Sequence, residues 1–191
     1  MRPASVIVIS YLLGSIPFGY LIVRATQGAD VRDTGSGGTG ATNVSRRAGK
    51  LAGVATLLLD ALKGAAAVAI ARLAGLDDTG AAACLFAVVL GHVAPAQLRF
   101  RGGRGLSTAV GGLLVLAPLA GLIGIATAAA AAGLTRSFTV AGIAAAAGAP
   151  LAAWLAGLSG GATAWVAATG GLILLAHARR PAPPSPARPG N

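Results

Sequence analysis

Residues 51–73 read LAGVATLLLDALKGAAAVAIARL, an apolar run interrupted in its middle by Asp60 and Lys63. As a helix this run is about 34 Å long, enough to cross the roughly 30 Å hydrocarbon core of a bilayer. Asp60 and Lys63 are spaced i, i+3 and therefore share one helix face. Charges at that depth are costly unless they are paired. We therefore predict a transmembrane helix that carries a structural ion pair, in preference to a catalytic one.

Similar apolar runs recur along the whole chain, which predicts an all-α, polytopic membrane protein with about seven transmembrane helices. Pro118 is expected to break the long apolar stretch in the middle. The first run lacks a convincing cleavage site and is interpreted as a retained span, not a signal peptide. The seven predicted spans are residues 4–23, 51–73, 81–98, 106–119, 121–134, 139–155 and 162–176.

The composition fits this class of protein. Of the 191 residues, 55% are hydrophobic and only 10% are charged, against roughly 25% charged in soluble domains. We expect one transmembrane domain over residues 1–180 and a disordered, Pro-rich cytosolic tail over residues 181–191. The single cysteine, Cys84, excludes an internal disulfide, and the few carboxylates argue against a metal site. Abundant Ala and Gly predict closely packed helices.

The net charge of +10 follows the membrane topology. Basic residues occupy the gaps after the first, third, fifth and seventh spans, and the other gaps hold few. The positive-inside rule then places the N-terminus outside and the C-terminus in the cytosol. Nucleic-acid binding is not expected, because few aromatic side chains accompany the basic residues. The basic residues of the predicted cytosolic side are Arg24, Arg32, Arg46, Arg47, Lys50, Arg99, Arg101, Arg104, Arg136, Arg179, Arg180 and Arg188.

The gap after the first span is too rich in special residues to be a simple connector. Residues 33–47 read DTGSGGTGATNVSRR. Its glycines, Gly35, Gly37, Gly38 and Gly40, allow close backbone approach and exposed N–H groups that bind anions. Thr42 or Asn43 is expected to cap a short helix, and Arg46 and Arg47 add positive charge. We interpret this gap as a phosphate site; the alternative is a flexible glycine linker.

A second gap has the same character. After Gly91-His92 the chain continues to FRGGRG at residues 100–105, with Gly102, Gly103, Arg104 and Gly105 just before a predicted helix. This pattern indicates a second phosphate site, and the alternative is an ordinary basic loop. Two anion sites on one membrane face point to two phosphorylated substrates, one of which carries an acyl chain among the helices.

Taken together, these motifs resemble the bacterial acyl-phosphate-dependent glycerol-3-phosphate acyltransferases over about residues 5–177. The resemblance implies transfer of a fatty acyl group from acyl phosphate to the 1-hydroxyl of glycerol 3-phosphate, which starts phospholipid synthesis. It also implies no cofactor, the inner membrane as location, and a partner enzyme that supplies acyl phosphate. The matching segments are Gly14–Gly19 as GSIPFG, Gly35–Lys50, Asp60 with Lys63-Gly64, and Gly91-His92 with Pro95 and Phe100–Gly105.

The resemblance also implies roles for single residues. Ser36, Arg46, Arg104 and His177 are implied as catalytic. Thr42 and Asn43 are implied to shape the first loop, and the loop glycines to bind substrate. His92 is a further substrate-binding candidate, with a structural histidine at a helix end as the alternative.

The chain departs from the family pattern at five positions: Gly38, Arg104, the pair Thr139 and Gly142, and Arg180. In the same order, the family usually has asparagine, lysine, two serines and asparagine at these positions. Two alternatives to the enzyme hypothesis are kept, and the changes at Gly142 and Arg180 favour the first of them. One is a catalytically weak relative that binds phosphorylated lipid precursors or regulates a true acyltransferase. The other, less favoured because no internal repeat is evident, is a small-anion transporter.

Overall fold

The structure, a computed structural model, describes residues 2–178. Arg180 and the predicted tail at 181–191 lie outside the described residues. Within that range the chain is helical and contains no strand, so the all-α prediction is confirmed. The helices are α1 Pro3–Gly14, α2 Phe18–Gln27, α3 Ala41–Ala48, α4 Lys50–Leu73, α5 Asp78–Val93, α6 Leu106–Leu116, α7 Pro118–Thr135, α8 Phe138–Leu155 and α9 Gly160–Ala178.

Six helical segments of the described chain are long and apolar enough to cross a membrane: Pro3–Gln27, Lys50–Leu73, Asp78–Leu98, Pro118–Thr135, Phe138–Leu155 and Gly160–Ala178. The remaining apolar run forms α6, which has 11 residues and is only about 16 Å long. Pro118 is the first residue of α7, so the predicted break at this proline is confirmed. The chain is an integral membrane protein, and the span count of seven stays a prediction.

The first apolar run, predicted as one continuous span, is in fact two helices. α1 ends at Gly14 and α2 begins at Phe18, with Ser15, Ile16 and Pro17 between them. Pro17 has no N–H to continue the helical ladder. Inside a bilayer such a break is tolerated only when the released carbonyls find partners, and here side chains from elsewhere in the chain supply them.

Glycines bring the helix backbones into direct contact. A Cβ atom on Gly14 would collide with the carbonyl oxygen of Val88, which shows that α1 lies against α5 without an intervening side chain. In the same way, a Cβ atom on Gly64 would collide with the carbonyl oxygen of Thr108, across the α4–α6 contact. The predicted close packing of small-residue helices is confirmed.

Helix α5 is at the centre of the bundle. It packs against α1, α4, α6 and α9, and its residues Leu85, Val88 and Val89 are fully buried. The C-terminal end of α5, at Val93, leads directly into the second glycine-rich gap. The core therefore fixes where that loop begins.

Candidate active site at two glycine-rich loops

The first loop, residues 28–40 between α2 and α3, is organised by one side chain. The two N–H donors of the Asn43 side-chain amide lie within hydrogen-bond distance of three loop carbonyls, those of Val31 at 2.8 Å, Gly38 at 2.9 Å and Thr34 at 3.0 Å, so that one donor is shared. Its Oδ1 atom accepts from the backbone N–H of Ser36 at 3.3 Å. Asn43 is buried. The conformation of the first loop therefore depends on this amide.

The predicted helix cap was wrong in detail. Helix α3 begins at Ala41 after an N-cap at Gly40, and no side chain caps it. Asn43 lies within the helix and reaches back over the loop instead. Gly35, with φ +57°, lies so close to it that a Cβ atom would collide with Oδ1 of Asn43. Glycine is therefore required at position 35 by both its backbone angle and its neighbour.

The second loop, residues 94–105 between α5 and α6, folds back onto the end of α5. The N–H groups of Gly102 and Gly103 donate to the carbonyls of Val93 and His92, at 3.1 and 3.0 Å. A Cβ atom on Gly102 would collide with the carbonyl oxygen of His92, and one on Gly103 with Nε2 of the same residue. The two adjacent glycines thus permit a close return of the chain that no other residue fits.

The two loops lie against each other. The N–H of Thr39 donates to the carbonyl of Gly102 at 3.5 Å. Nη1 of Arg32 donates to the carbonyl of Leu98 at 3.1 Å. A Cβ atom on Gly38 would be 3.4 Å from the carbonyl oxygen of Gly102. The two anion sites predicted from the sequence are therefore parts of one continuous surface.

Arg32 is held in place by Asp30. The guanidinium donates from Nη2 to Oδ2 of Asp30 at 2.6 Å and from Nε to both carboxylate oxygens. It also stacks over the ring of Tyr20, 5.5 Å from its centroid. The hydrogen bonds from Arg32 lower the pKa of Asp30 below its usual value. The ion pair therefore orients Arg32 so that it can donate to the carbonyl of Leu98 in the second loop.

Replacing Asp30 by asparagine is expected to lower thermal stability at neutral pH, where the wild-type carboxylate is charged and paired. The folded-state pKa lies below the unfolded one, so the stabilisation is present above about pH 4 and disappears as pH falls through the folded pKa. The difference in Tm between wild type and Asp30→Asn in detergent should therefore be largest at pH 7 and vanish in strong acid. A difference that grows on acidification would contradict this assignment.

A third group of side chains meets the end of the second loop. Nη1 of Arg104 donates to the hydroxyl of Thr139 at the start of α8, at 3.1 Å. Nδ1 of His177, near the end of α9, lies 2.8 Å from the carbonyl of Ile173. Since a carbonyl only accepts, Nδ1 carries the proton, and in the neutral ring Nε2 is left with a lone pair. That Nε2 atom points at Gly142 of α8, where a Cβ atom would be 2.7 Å away.

The remaining predicted residues lie around the first loop. Ser36 uses its backbone N–H on Asn43, and among the described residues its hydroxyl has no hydrogen-bond partner. Thr42 and Arg46 are exposed on α3. Within residues 2–178 the guanidinium of Arg46 forms neither an ion pair nor a hydrogen bond. These polar groups are therefore available to a ligand.

Beneath the loops, sequence reasoning missed a small, partly open apolar cavity of about 20 Å³ between α5, α6, α7, α8 and α9. Leu106, the first residue of α6, and Ile173, one turn before His177, are part of its lining. The cavity thus begins next to the polar groups and continues among the helices. Its walls include the small residues Ala109, Gly124, Ala145, Ala146, Ala149 and Gly170. They come from four helices, so no local pattern announces them.

The expected ion pair in α4 is present and includes a third residue. Nζ of Lys63 is 2.8 Å from Oδ1 of Asp60, and both side chains are about 2% exposed. Nδ1 of His92 lies 3.4 Å from the same oxygen. Since His92 also contacts Gly103, this buried cluster lies directly behind the second loop.

A sequence model of the family described as glycerol-3-phosphate acyltransferase matches residues 4–182. The chain belongs to this family. Among its relatives, glycerol-3-phosphate acyltransferase 1 of Desulfitobacterium hafniense (strain Y51) is 43% identical over 175 residues, covering 88% of this chain and 83% of that protein. The glycerol-3-phosphate acyltransferase of Jannaschia sp. (strain CCS1) is 46% identical over 169 residues, covering 88% and 82%.

Solved structures of the family have the same fold. PlsY (YgiH), described as an integral membrane glycerol 3-phosphate acyltransferase, superimposes in its glycerol 3-phosphate form with a TM-score of 0.87 at 34% identity, covering 93% of this chain and 88% of that one. Its lysophosphatidic acid form gives a TM-score of 0.84 at 32% identity, covering 93% and 89%. The family resemblance inferred from the glycine-rich motifs is therefore confirmed.

Proposed function

We propose that this chain transfers a fatty acyl group from acyl phosphate to the 1-hydroxyl of glycerol 3-phosphate. The products are lysophosphatidic acid and inorganic phosphate. The observation that carries the proposal is the contact between the two glycine-rich loops, with Arg104 and His177 beside them at the mouth of an apolar cavity. Such a surface suits two phosphorylated substrates whose reacting atoms must meet.

In the proposed reaction the hydroxyl oxygen attacks the carbonyl carbon of acyl phosphate. A new ester bond forms, the bond from that carbon to the phosphate oxygen breaks, and inorganic phosphate leaves. The proton of the hydroxyl passes to Nε2 of His177, whose lone pair is open because Gly142 has no side chain. Acyl phosphate is already activated, so the main tasks are orientation and stabilisation of developing charge.

The phosphate groups would be held by the loop surface. Ser36, Arg46 and the N–H groups of Gly35, Gly38 and Gly40 would bind one phosphate, and Arg104 with Gly105 would bind the other. Gly102 and Gly103 would only shape this second site, because their N–H groups already donate to the carbonyls of Val93 and His92. Arginine binds phosphate oxygens in a bidentate manner, which fixes direction as well as charge. Thr42 would add a hydroxyl at the edge of the first loop.

The acyl chain would lie along this apolar cavity and the apolar helix surfaces around it, because the cavity alone holds only about 20 Å³. The cavity begins beside His177 and its lining is apolar apart from Thr169, so an alkyl chain entering it leaves its carbonyl near the polar groups. Burial of each methylene contributes about 0.8 kcal/mol. This supplies binding energy for the long-chain donor without any charged contact.

The proposed active face is cytosolic and the proposed location is the bacterial inner membrane. Both glycine-rich loops, Arg136 and the end of α9 fall in the basic gaps that the positive-inside rule assigns to the cytosol. The N-terminus would then lie outside and the C-terminus inside. Acyl phosphate would reach this face from a partner enzyme that makes it.

Reconstitution of the purified chain in lipid tests the proposal. Phosphate release that requires both acyl phosphate and glycerol 3-phosphate, with lysophosphatidic acid appearing, is the expected result. Binding of glycerol 3-phosphate without release would indicate the catalytically weak relative, which the missing side chain at Gly142 favours. Formation of lysophosphatidic acid and free carrier thiol from an acyl-carrier thioester, in place of acyl phosphate, would overturn the donor assignment. Uptake of labelled glycerol 3-phosphate into vesicles would indicate a transporter.

Gly142→Ala is expected to lower kcat about tenfold, because the new Cβ atom occupies the space at Nε2 of His177 and forces the ring to move. Gly148→Ala is the matched control. It lies on the same helix, and a Cβ atom there meets nothing within 4 Å. Its kcat should change less than about twofold, since alanine also favours the helix. Equal kcat for the two variants would remove His177 from the proton-accepting role.

A further inference from the structure

The break in the first span is closed by two side chains that come from different parts of the fold. Nζ of Lys63, on α4, donates to the carbonyl of Ile16 at 2.9 Å. Nε2 of Gln97, in the second loop, donates to the carbonyl of Ser15. These are the carbonyls of the two residues that precede Pro17. The carbonyl of Ser15 has no other donor among the described residues, and the carbonyl of Ile16 otherwise accepts only from the N–H of Phe18 at 3.2 Å. Such donors are needed where a helix is broken inside the membrane.

The same break is connected to both loops of the site. On one side, Gly19 in the first turn of α2 touches the first loop so closely that a Cβ atom would collide with the carbonyl oxygen of Thr39. On the other side, Gln97 belongs to the second loop itself. The hydroxyl of Tyr11, on α1, also donates to the carbonyl of Ala94 at 3.0 Å, where the second loop begins.

Lys63 contacts the helix break as well as its ion-pair partner Asp60. Its side chain is about 2% exposed, and its ammonium group pairs with the carboxylate of Asp60 while it donates a hydrogen bond to the carbonyl of Ile16. The same ammonium lies 5.6 Å from the centroid of the Phe18 ring, the first residue of α2. Asp60 is shared with His92, which backs Gly103. One buried cluster therefore contacts the helix break and the second loop together.

We propose that Lys63 and Gln97 are positioning residues that lock the break at Ser15–Pro17 and thereby hold the two glycine-rich loops in register. The effect on catalysis rests on the proposed function. Loss of Gln97 leaves the carbonyl of Ser15 unpaired, and loss of Lys63 leaves that of Ile16 with only the bond from Phe18. Either change lets the start of α2 shift and moves Gly38 and Thr39 relative to Gly102. A displacement of about 1 Å between reacting groups costs as much as 10²-fold in rate.

The decisive variants separate the carbonyl contact from the ion pair. Lys63→Met removes both, and leaves the carboxylate of Asp60 buried without its cation. Asp60→Asn with Lys63→Met leaves no unpaired buried charge, but the carbonyl of Ile16 still lacks its bond from Lys63. Asp60→Asn alone keeps the donor. We expect kcat to fall about 10- to 100-fold in both variants that carry Lys63→Met, with less than a threefold change in KM. In Asp60→Asn alone the fall in kcat should be much smaller.

Gln97→Leu tests the second lock without touching the buried cluster. Gln97 lies in an exposed position, so this variant is expected to fold and to lower kcat about tenfold. Gln97→Glu, which has the same size but cannot donate to a carbonyl when charged, should behave like Gln97→Leu. Recovery of wild-type kcat in the Asp60→Asn, Lys63→Met double variant, together with normal kcat in Gln97→Leu, would overturn the proposal.

A distance measurement makes the test independent of catalysis. Spin labels on Arg47→Cys in α3 and Phe100→Cys in the second loop, both exposed positions, report the separation of the two loops in a Cys84→Ala background. The distance distribution should broaden or shift in Lys63→Met and Gln97→Leu and stay narrow in Asp60→Asn. An unchanged distribution in all variants would overturn the proposal even if the chain proved inactive with acyl phosphate. A changed distribution in an inactive chain would support the lock and reject the proposed reaction.

Discussion

Asn43→Ala is expected to lower kcat/KM for acyl transfer about 10³-fold while the helices remain folded. The substitution removes both N–H donors of the amide, which serve three loop carbonyls, and the acceptor for the N–H of Ser36. Leaving a buried polar group unpaired costs about 1–3 kcal/mol. If the disordered loop raises the free energy of the transition state by about 4 kcal/mol, the rate falls by a factor of roughly 10³. Steady-state phosphate release in lipid, with circular dichroism as the folding check, measures the effect.

Two further variants show whether the amide itself is responsible. Asn43→Asp keeps an acceptor for the N–H of Ser36 but loses every donated bond and adds negative charge at a phosphate site, so it should be as impaired as alanine. Gln27→Ala is the matched control, because Gln27 also bonds to α3, through the carbonyl of Arg47 at 3.0 Å, but at an exposed position. It should retain activity within threefold. Near-normal activity in Asn43→Ala would show that the first loop keeps its shape without the amide.

The sequence was sufficient for the features that depend on local spacing. The i, i+3 spacing of Asp60 and Lys63 in an apolar run predicted an ion pair, and the pair is present at 2.8 Å. Pro118 predicted a break, because a proline cannot continue the helical ladder, and α7 begins there. The order of glycines and arginines pointed to the family, which the matches to its members confirm.

Features made by distant partners were not predictable in the same way. The break at Ser15–Pro17 depends on Lys63 and Gln97, which are 47 and 82 residues away from the carbonyls they satisfy. The sequence indicated that Asn43 shapes the first loop, but the prediction that it caps a helix was wrong. A cap is a local interaction, whereas the observed bonds depend on how the whole loop folds over α3. The merging of two anion sites into one surface likewise follows from tertiary packing.

Arg46→Ala is expected to lower phosphate release about 10³-fold without reducing stability. The side chain is exposed and makes no ion pair within the described chain, so its removal leaves no buried group unpaired. Surface substitutions of this kind usually change stability by less than about 0.5 kcal/mol. Loss of one group that stabilises charge in the transition state costs about 10²–10³ in rate. A large loss of activity with unchanged Tm therefore distinguishes a substrate contact from a structural one.

Arg47 provides the matched control, since it carries the same charge one residue further along α3 and is also exposed. Arg47→Ala should retain activity within about threefold, and Arg46→Lys should recover part of the lost rate, because lysine keeps the charge but not the bidentate geometry. If both alanine variants lose activity equally, and the loss in each shrinks as salt is raised, the arginines act by general attraction of anions to this face. If Arg46 itself binds phosphate, the activity of Arg46→Ala should instead stay low at high salt and at saturating concentrations of both substrates.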